Sequence, residues 1–240
     1  MRDSLKSSDY WDIAIEQSKI SFEKMQNGMQ IQGDNPKQVI RMGARASSKA
    51  LFACIAEYSR GSSPSAMIPH FQAHLQIEAQ IITAAAQVPE YFRKEWGGGY
   101  DDYFRSLSLA YLLNTPAAAI APLRQKIYFF KLRDQILEAL LTAIGVPDRL
   151  ATNELIWPDA YEPLREALIS DPPQNQTALM TFVEGWYDAM SDTAWHGSHK
   201  SKHPVYEGYW CFEAAAVTKL KGIPINKVAL HPNFPADMLR

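Results

Sequence analysis

The chain has 240 residues, nearly half of them hydrophobic, which is enough to close a sizeable packed core. Its formal net charge of -2 gives no general attraction to nucleic acid or to an anionic membrane, since both need a basic excess. Cys54 and Cys211 sit inside apolar patterns with no zinc-like spacing, so both read as buried free thiols.

The pattern is helical nearly throughout. Residues from about Asp9 to Asn27 place Trp11, Ile15, Ser18 and Phe22 on one face, with charges at Asp3, Lys6, Asp9, Asp12 and Glu16 and no apolar signal core; Gly28 is expected to stop the helix. Asn35-Pro36 reads as an N-cap followed by proline at the first helical position, opening a helix to about Ser59 that ends at "RGSSPS". A third helix is predicted from about Ser65 to Gln87, with Phe71, Leu75, Ile77, Ile81 and Ile82 as its apolar positions. "WGGGYDD" is a break without the strand and lysine of a phosphate loop, and Asp101-Asp102 suits the first turn of a helix reaching Leu113.

From about Ala121 to Ile144 a broad stripe of Leu123, Ile127, Phe130, Leu137, Leu141 and Ile144 predicts one long central helix covered on two sides, ended by Gly145 and Pro147. Shorter helices are expected from about Asp148 to Leu155 and from Ala160 to Ile169. After the turn "SDPPQNQ", a helix from about Thr177 to Ser191 turns Leu179, Phe182, Val183, Trp186 and Met190 inward. "VYEGYWCFEAAAVTKL" reads as a last helix, and proline-broken turns close the chain. Alternating strand patterns and internal repeats are absent, so the expected fold is all-α, a multi-helix array of antiparallel helical hairpins. Residues 1–120 and 121–240 form an N-terminal and a C-terminal helical region of one continuous unit.

Three imidazoles, His196, His199 and His203, fall within eight residues and are the most enzyme-like feature; a helical metal-binding protein or metalloenzyme built on them is the alternative reading. Their glycine-, serine- and lysine-rich stretch is a poor metal frame, and no GxSxG, HExxH or glycine-rich phosphate loop supplies other chemistry. Glu213, set among Tyr209, Phe212 and Val217, is expected to be buried and paired with a loop histidine or lysine or with a tyrosine hydroxyl, fastening the last helix to the loop before it.

Charge distribution says more than net charge. Between Asp148 and Asp192, nine acids against two bases leave a local charge of -7. Glu184, Asp188 and Asp192 recur every four residues, stacking like charges on one helical face, and Glu162 and Glu166 repeat the step on a neighbouring helix. Such a surface suits capture of a basic partner by electrostatic steering.

"WHGSHK", "YEGYWCFEAAAVTKLKGI" and "HPNFPADM", with the opening "MRDSLKSSDYWD", resemble the PoNi immunity-protein family, the cognate inhibitors of PoNe polymorphic DNase toxins. The resemblance implies a soluble helical protein without catalysis; the charge balance and the absence of an apolar signal core add the expectation of a cytoplasmic location with no contact to DNA or membrane, and no cofactor or metal is expected. Its partner is a secreted toxin of the PD-(D/E)xK nuclease type, bound one-to-one in interbacterial competition of the type VI secretion kind. Motif positions carried over are Trp195, His199, Lys200, Gly208, Tyr209, Trp210, Phe212, Glu213, Ala214, Pro235 and Asp237, read as fold-defining. Toxin-facing residues are expected instead at Glu162, Glu166, Glu184, Asp188 and Asp192.

Overall fold

A computed structural model describes residues 1–96, 99–146 and 151–240. Among them the secondary structure is all helical: α1 (Ser8–Ile31), α2 (Pro36–Arg60), α3 (Pro64–Ala85), α4 (Pro89–Trp96), α5 (Tyr100–Leu112), α6 (Ala121–Phe129), α7 (Gln135–Ala143), α8 (Pro158–Ile169), α9 (Gln174–Ala189) and α10 (Phe212–Lys221), with short 3-10 turns near the C-terminal end. Among the described residues no helix is long and apolar enough to cross a membrane. The chain divides into two compact units, one built from Met1–Gly98, Ala121–Lys126 and Gly197–Gly208, the other from Gly99–Ile120, Ile127–His196 and Tyr209–Arg240.

In the first unit α1, α2 and α3 are long helices joined by short turns and packed along their length, so successive helices run antiparallel. Their ends follow capping chemistry. Ser7 accepts from the Tyr10 N–H, Asn35 accepts from the Gln38 N–H with Pro36 behind it, and Gly61 closes α2 in the left-handed region at φ 102°. Gly28 does not end α1 as expected. The helix continues to Ile31 because the glycine serves packing: a Cβ there would lie 1.9 Å from the Met42 terminal carbon of α2. Beneath these helices lies a polar lock: Ser47 Oγ sits 2.8 Å from His74 Nδ1 and donates to Glu78 Oε1 at 2.5 Å, while Lys126 Nζ donates to Glu78 Oε2 at 2.7 Å. Residues 205–208 return to this unit. Tyr10 Oη accepts from the Tyr206 N–H, the Tyr206 hydroxyl donates to Asp3, and Ser59 Oγ donates to the Glu207 carbonyl.

The second unit contains the hairpin of α8 and α9 and the helices α5, α7 and α10. Its central helix is α10, not the 121–144 segment. Every side chain from Phe212 to Thr218 is buried, and α5, α7, α8 and α9 all pack on it. The expected long helix is broken into α6 and α7: Lys131 adopts φ 54°, and Asp134, fully buried, accepts from the Ile136 and Leu137 N–H groups as the N-cap of α7 and from Ile156 N–H with its other oxygen. A carboxylate that caps a buried helix start outweighs the continuity of an apolar stripe. Of the expected 148–155 helix, residues 148–150 lie outside the described set and 151–155 are not helical; Gly97 and Gly98 of the predicted break also lie outside it. Short α4 was not predicted, and residues 205–211 are extended, so the last helix begins only at Phe212. Cys54 and Cys211 are buried free thiols.

Candidate functional site

The candidate acids fall on the α8–α9 hairpin and differ in availability. On α8, Glu162 is exposed but bound by Arg165, whose Nε donates to it at 3.0 Å, and Glu166 accepts from Ser170 Oγ at 2.5 Å and Gln174 Nε2 at 2.6 Å. On α9, Glu184 and Asp188 are exposed, one helical turn apart, on the side opposite Leu179, Phe182, Val183 and Trp186. Helix α9 stops at Ala189, so Asp192 lies exposed in the turn beyond it and does not continue the helical face. Glu184, Asp188 and Asp192 make no ion pair among the described residues.

Directly beside this acidic edge lies an aromatic cluster. Trp186 of α9 stacks on Trp195 with centroids 5.2 Å apart, Tyr187 stacks on His196 at 4.2 Å, and Tyr209 meets Tyr187 at 4.7 Å and Trp195 at 5.8 Å. Trp195, Tyr187 and His196 are half-buried, giving large rigid surfaces bounded by carboxylates. Trp195 Nε1 donates to Asp101 Oδ2 at 3.1 Å, which fixes the indole from α5.

The histidines do not converge. His196 belongs to the second unit and packs on Tyr187, whereas His199 and His203 belong to the first, where the His199 ring meets Tyr206 edge-on at 6.1 Å. Among the described residues no group of three His, Cys, Asp or Glu side chains is placed to hold a metal ion.

The remaining motif positions are mostly interior. Gly208 is buried at φ 107°, a conformation that excludes a side chain, and the chain then runs through buried Tyr209, Trp210, Phe212, Glu213 and Ala214 into α10. Pro235 is buried, and Asp237 pairs with Arg240 at 2.9 Å. His199 and Lys200 stand on a 3-10 turn, with Lys200 exposed.

Glu213 reaches across to α8, not back to the preceding loop. Tyr161 Oη donates to its Oε1 at a long 3.4 Å, and among the described residues Oε2 has no hydrogen-bond partner. Burial pushes the carboxyl up to about 7; its own backbone N–H, the Arg105 guanidinium and the Tyr161 hydroxyl oppose this, and Asp101 adds to it. Asp101 is itself raised, by burial and then by Asp102, with Arg105 and Trp195 opposing. Burial, then the Glu213 charge, drives the Tyr161 phenol and the Cys211 thiol well above their usual ranges. Glu213 and a tyrosine type of partner are legible in the sequence, whereas Asp101, Arg105 and Tyr161 carry no signal there that they neighbour it. The doublet Asp101-Asp102 signals only a helix start in the sequence, and folding brings α5 to α10.

Among the described residues the chain is all helical, with exposed carboxylates on α9 beside an aromatic cluster. The N-terminal profile of the PoNe immunity proteins matches residues 2–123 and their C-terminal profile matches residues 132–238, so the chain belongs to the PoNe immunity protein (PoNi) family. Membership makes it an immunity protein to PoNe nuclease toxins. No curated protein matches the sequence. Among solved structures, the crystal structure of protein PA2201 from Pseudomonas aeruginosa is similar with a TM-score of 0.69 at 16% identity, covering 99% of this chain and 89% of that one, a likeness of fold.

Proposed function

We propose that the protein neutralises a secreted DNase toxin of the PD-(D/E)xK type by forming a one-to-one complex with it in the cytoplasm of the toxin's producer, without catalysis. The toxin is of the kind carried by type VI secretion. The contact surface is the acidic side of the α8–α9 hairpin, where Glu184, Asp188 and Asp192 stand in for DNA phosphates against a basic cleft and Glu162 and Glu166 extend the field. The observation that carries this reading is the exposure of Glu184 and Asp188, neither in an ion pair among the described residues, in a chain matched along both halves by the immunity family. Two like charges one turn apart on a helix weaken it by a few tenths of a kcal/mol, a cost that a basic partner removes.

A complex of this kind buries roughly 1,200–2,000 Å² in total. Its long-range attraction acts on the rate of encounter more than on the lifetime of the complex. The test is co-expression with the cognate toxin, scored by survival and co-purification, followed by association kinetics of the triple variant Glu184→Lys, Asp188→Lys, Asp192→Lys across a salt series. The expected result is slower association with a flatter salt dependence. Rates identical to those of the parent protein at every ionic strength exclude this surface.

A further inference from the structure

Helix α2 carries a cationic stripe that immunity to a basic cleft leaves unexplained. Lys37, Arg41, Arg45 and Lys49 recur at every fourth residue, which sets them about 6 Å apart along one side of the helix. Lys37, Arg41 and Arg45 are exposed and Lys49 is half-buried. None of the four forms an ion pair among the described residues. Three successive like-charge pairs oppose the helix they sit on.

The stripe is held in position. Arg41 Nε donates to Tyr91 Oη of α4 at 2.7 Å, Lys37 Nζ lies 5.3 Å from the centre of the same ring, and Lys49 Nζ lies 5.7 Å from that of Phe52. The Tyr91 contact uses one guanidinium N–H of Arg41 and leaves its terminal amino groups for an anion. Beside the stripe runs an open groove of about 360 Å³ lined by Gly28, Ile31, Gln32, Gln38 and Met42, with Ile31 81% exposed at its rim.

The complementary surface is in the same chain. Glu184 and Asp188 repeat the four-residue step on α9, and because α8 and α9 form an antiparallel hairpin, exposed Asp159 at the start of α8 lies at the same end as these two. Asp159, Glu184 and Asp188 also make no ion pair among the described residues. Cations and carboxylates with one spacing, on helices of separate units, match when one molecule meets another.

We infer that free molecules of this chain self-associate, with the α2 stripe of one copy seated on the α8–α9 carboxylates of a second. Charged rims of this kind give contacts below about 1,200 Å² that form and dissolve quickly. They weaken as the Debye length shrinks toward about 8 Å at physiological salt. The inference stands apart from the toxin reading, although both use Glu184 and Asp188.

Sedimentation of the full-length protein over a concentration series tests it. The weight-average mass is expected to rise with concentration at low salt and to return to that of the monomer at high salt. Reversing the stripe (Lys37→Glu, Arg41→Glu, Arg45→Glu) or the acids (Asp159→Lys, Glu184→Lys, Asp188→Lys) should each weaken association about tenfold or more through like-charge contact. Mixing the two variants should restore it, since each then offers what the other lacks; circular dichroism melts confirm that both are folded. A chain that stays at monomer mass at low salt, or variants that associate as the parent does, overturns the proposal. So does a stripe variant that leaves the mass unchanged and loses binding to duplex DNA or to the toxin. Survival on co-expression reads the toxin contact separately, so the two proposals can fail independently.

Discussion

In the first unit the interior carboxylates Glu57 and Glu78 meet cations, and in the second Glu213 and Asp101 do so only at a distance. Burial alone would raise Glu57, but the His70 ring 3.9 Å away, the hydrogen bond from Ser62 Oγ and the Arg60 charge hold it down to about 2. Burial also acts upward on Glu78, and Lys126, His74 and Ser47 overcome it and lower its pKa. Glu213 has a stretched tyrosine contact and one oxygen without a hydrogen-bond partner among the described residues, and burial wins. The same residue type is therefore an anion in one unit and close to half-neutral in the other. The number of donors within reach decides which, more than depth.

The largest effect expected from this contrast is in the first unit. Lys126→Met leaves the Glu78 charge buried without its ion pair, and breaking such a pair costs about 3–5 kcal/mol, readable by urea denaturation at neutral pH. A loss under about 1 kcal/mol would mean that Ser47 and His74 hold Glu78 unaided.

Next in size is a pH effect of opposite sign in the two units. Glu213 lies above its ordinary 4.5 when folded, so the folded chain binds the extra proton between 4.5 and about 7, and stability falls as pH rises through that window. The shift corresponds to about 3 kcal/mol. Glu57 lies below 4.5, so its contribution is present above that value and is lost as pH falls toward about 2. Amide protection in α10, taken relative to the intrinsic exchange rate at each pH, should rise from pH 7 to 4.5, whereas protection in α2 should fall only below 4.5. Glu213→Gln should flatten the first trend and leave the protein at least as stable above pH 7. Parallel pH profiles for this variant and its parent would remove Glu213 as the source.

Smaller effects sharpen the picture. Asp134→Ala exposes three N–H groups to loss of their acceptor and should cost about 2 kcal/mol by thermal melting, with lost protection at the start of α7. Tyr161→Phe removes only the long bond to Glu213 and should cost less than about 1 kcal/mol.

Much of the fold is legible in residue pattern because its signals are local. Asn35-Pro36, Gly61 and the apolar spacing of α3, α5, α8 and α9 act within one or two turns and mark these helices wherever the rest of the chain goes. The misreadings have a common cause in tertiary structure. Gly28 resembles a stop until Met42 is brought over it, Asp134 resembles a polar interruption until three N–H groups turn toward it, and the stretch before Phe212 is too evenly apolar to show where the helix begins. The candidate site was half-legible for the same reason. Exposed acids at a four-residue step can be counted in a sequence, but that Arg165 binds Glu162 while Glu184 forms no ion pair among the described residues depends on where side chains come to rest.

The return of residues 205–208 to the first unit bears on how such chains can diverge. Tyr206 and Glu207 are held by Asp3, Tyr10 and Ser59, and Lys126 by Glu78, so partners far apart in the gene must be inherited as matched sets. A crossover between two homologous genes near the midpoint would pair one parent's Asp3 and Glu78 with the other parent's residues at 206 and 126. Recombinants should therefore survive only where the pairs Asp3–Tyr206 and Glu78–Lys126 agree, whereas point changes on the outer side of α9 can accumulate one at a time.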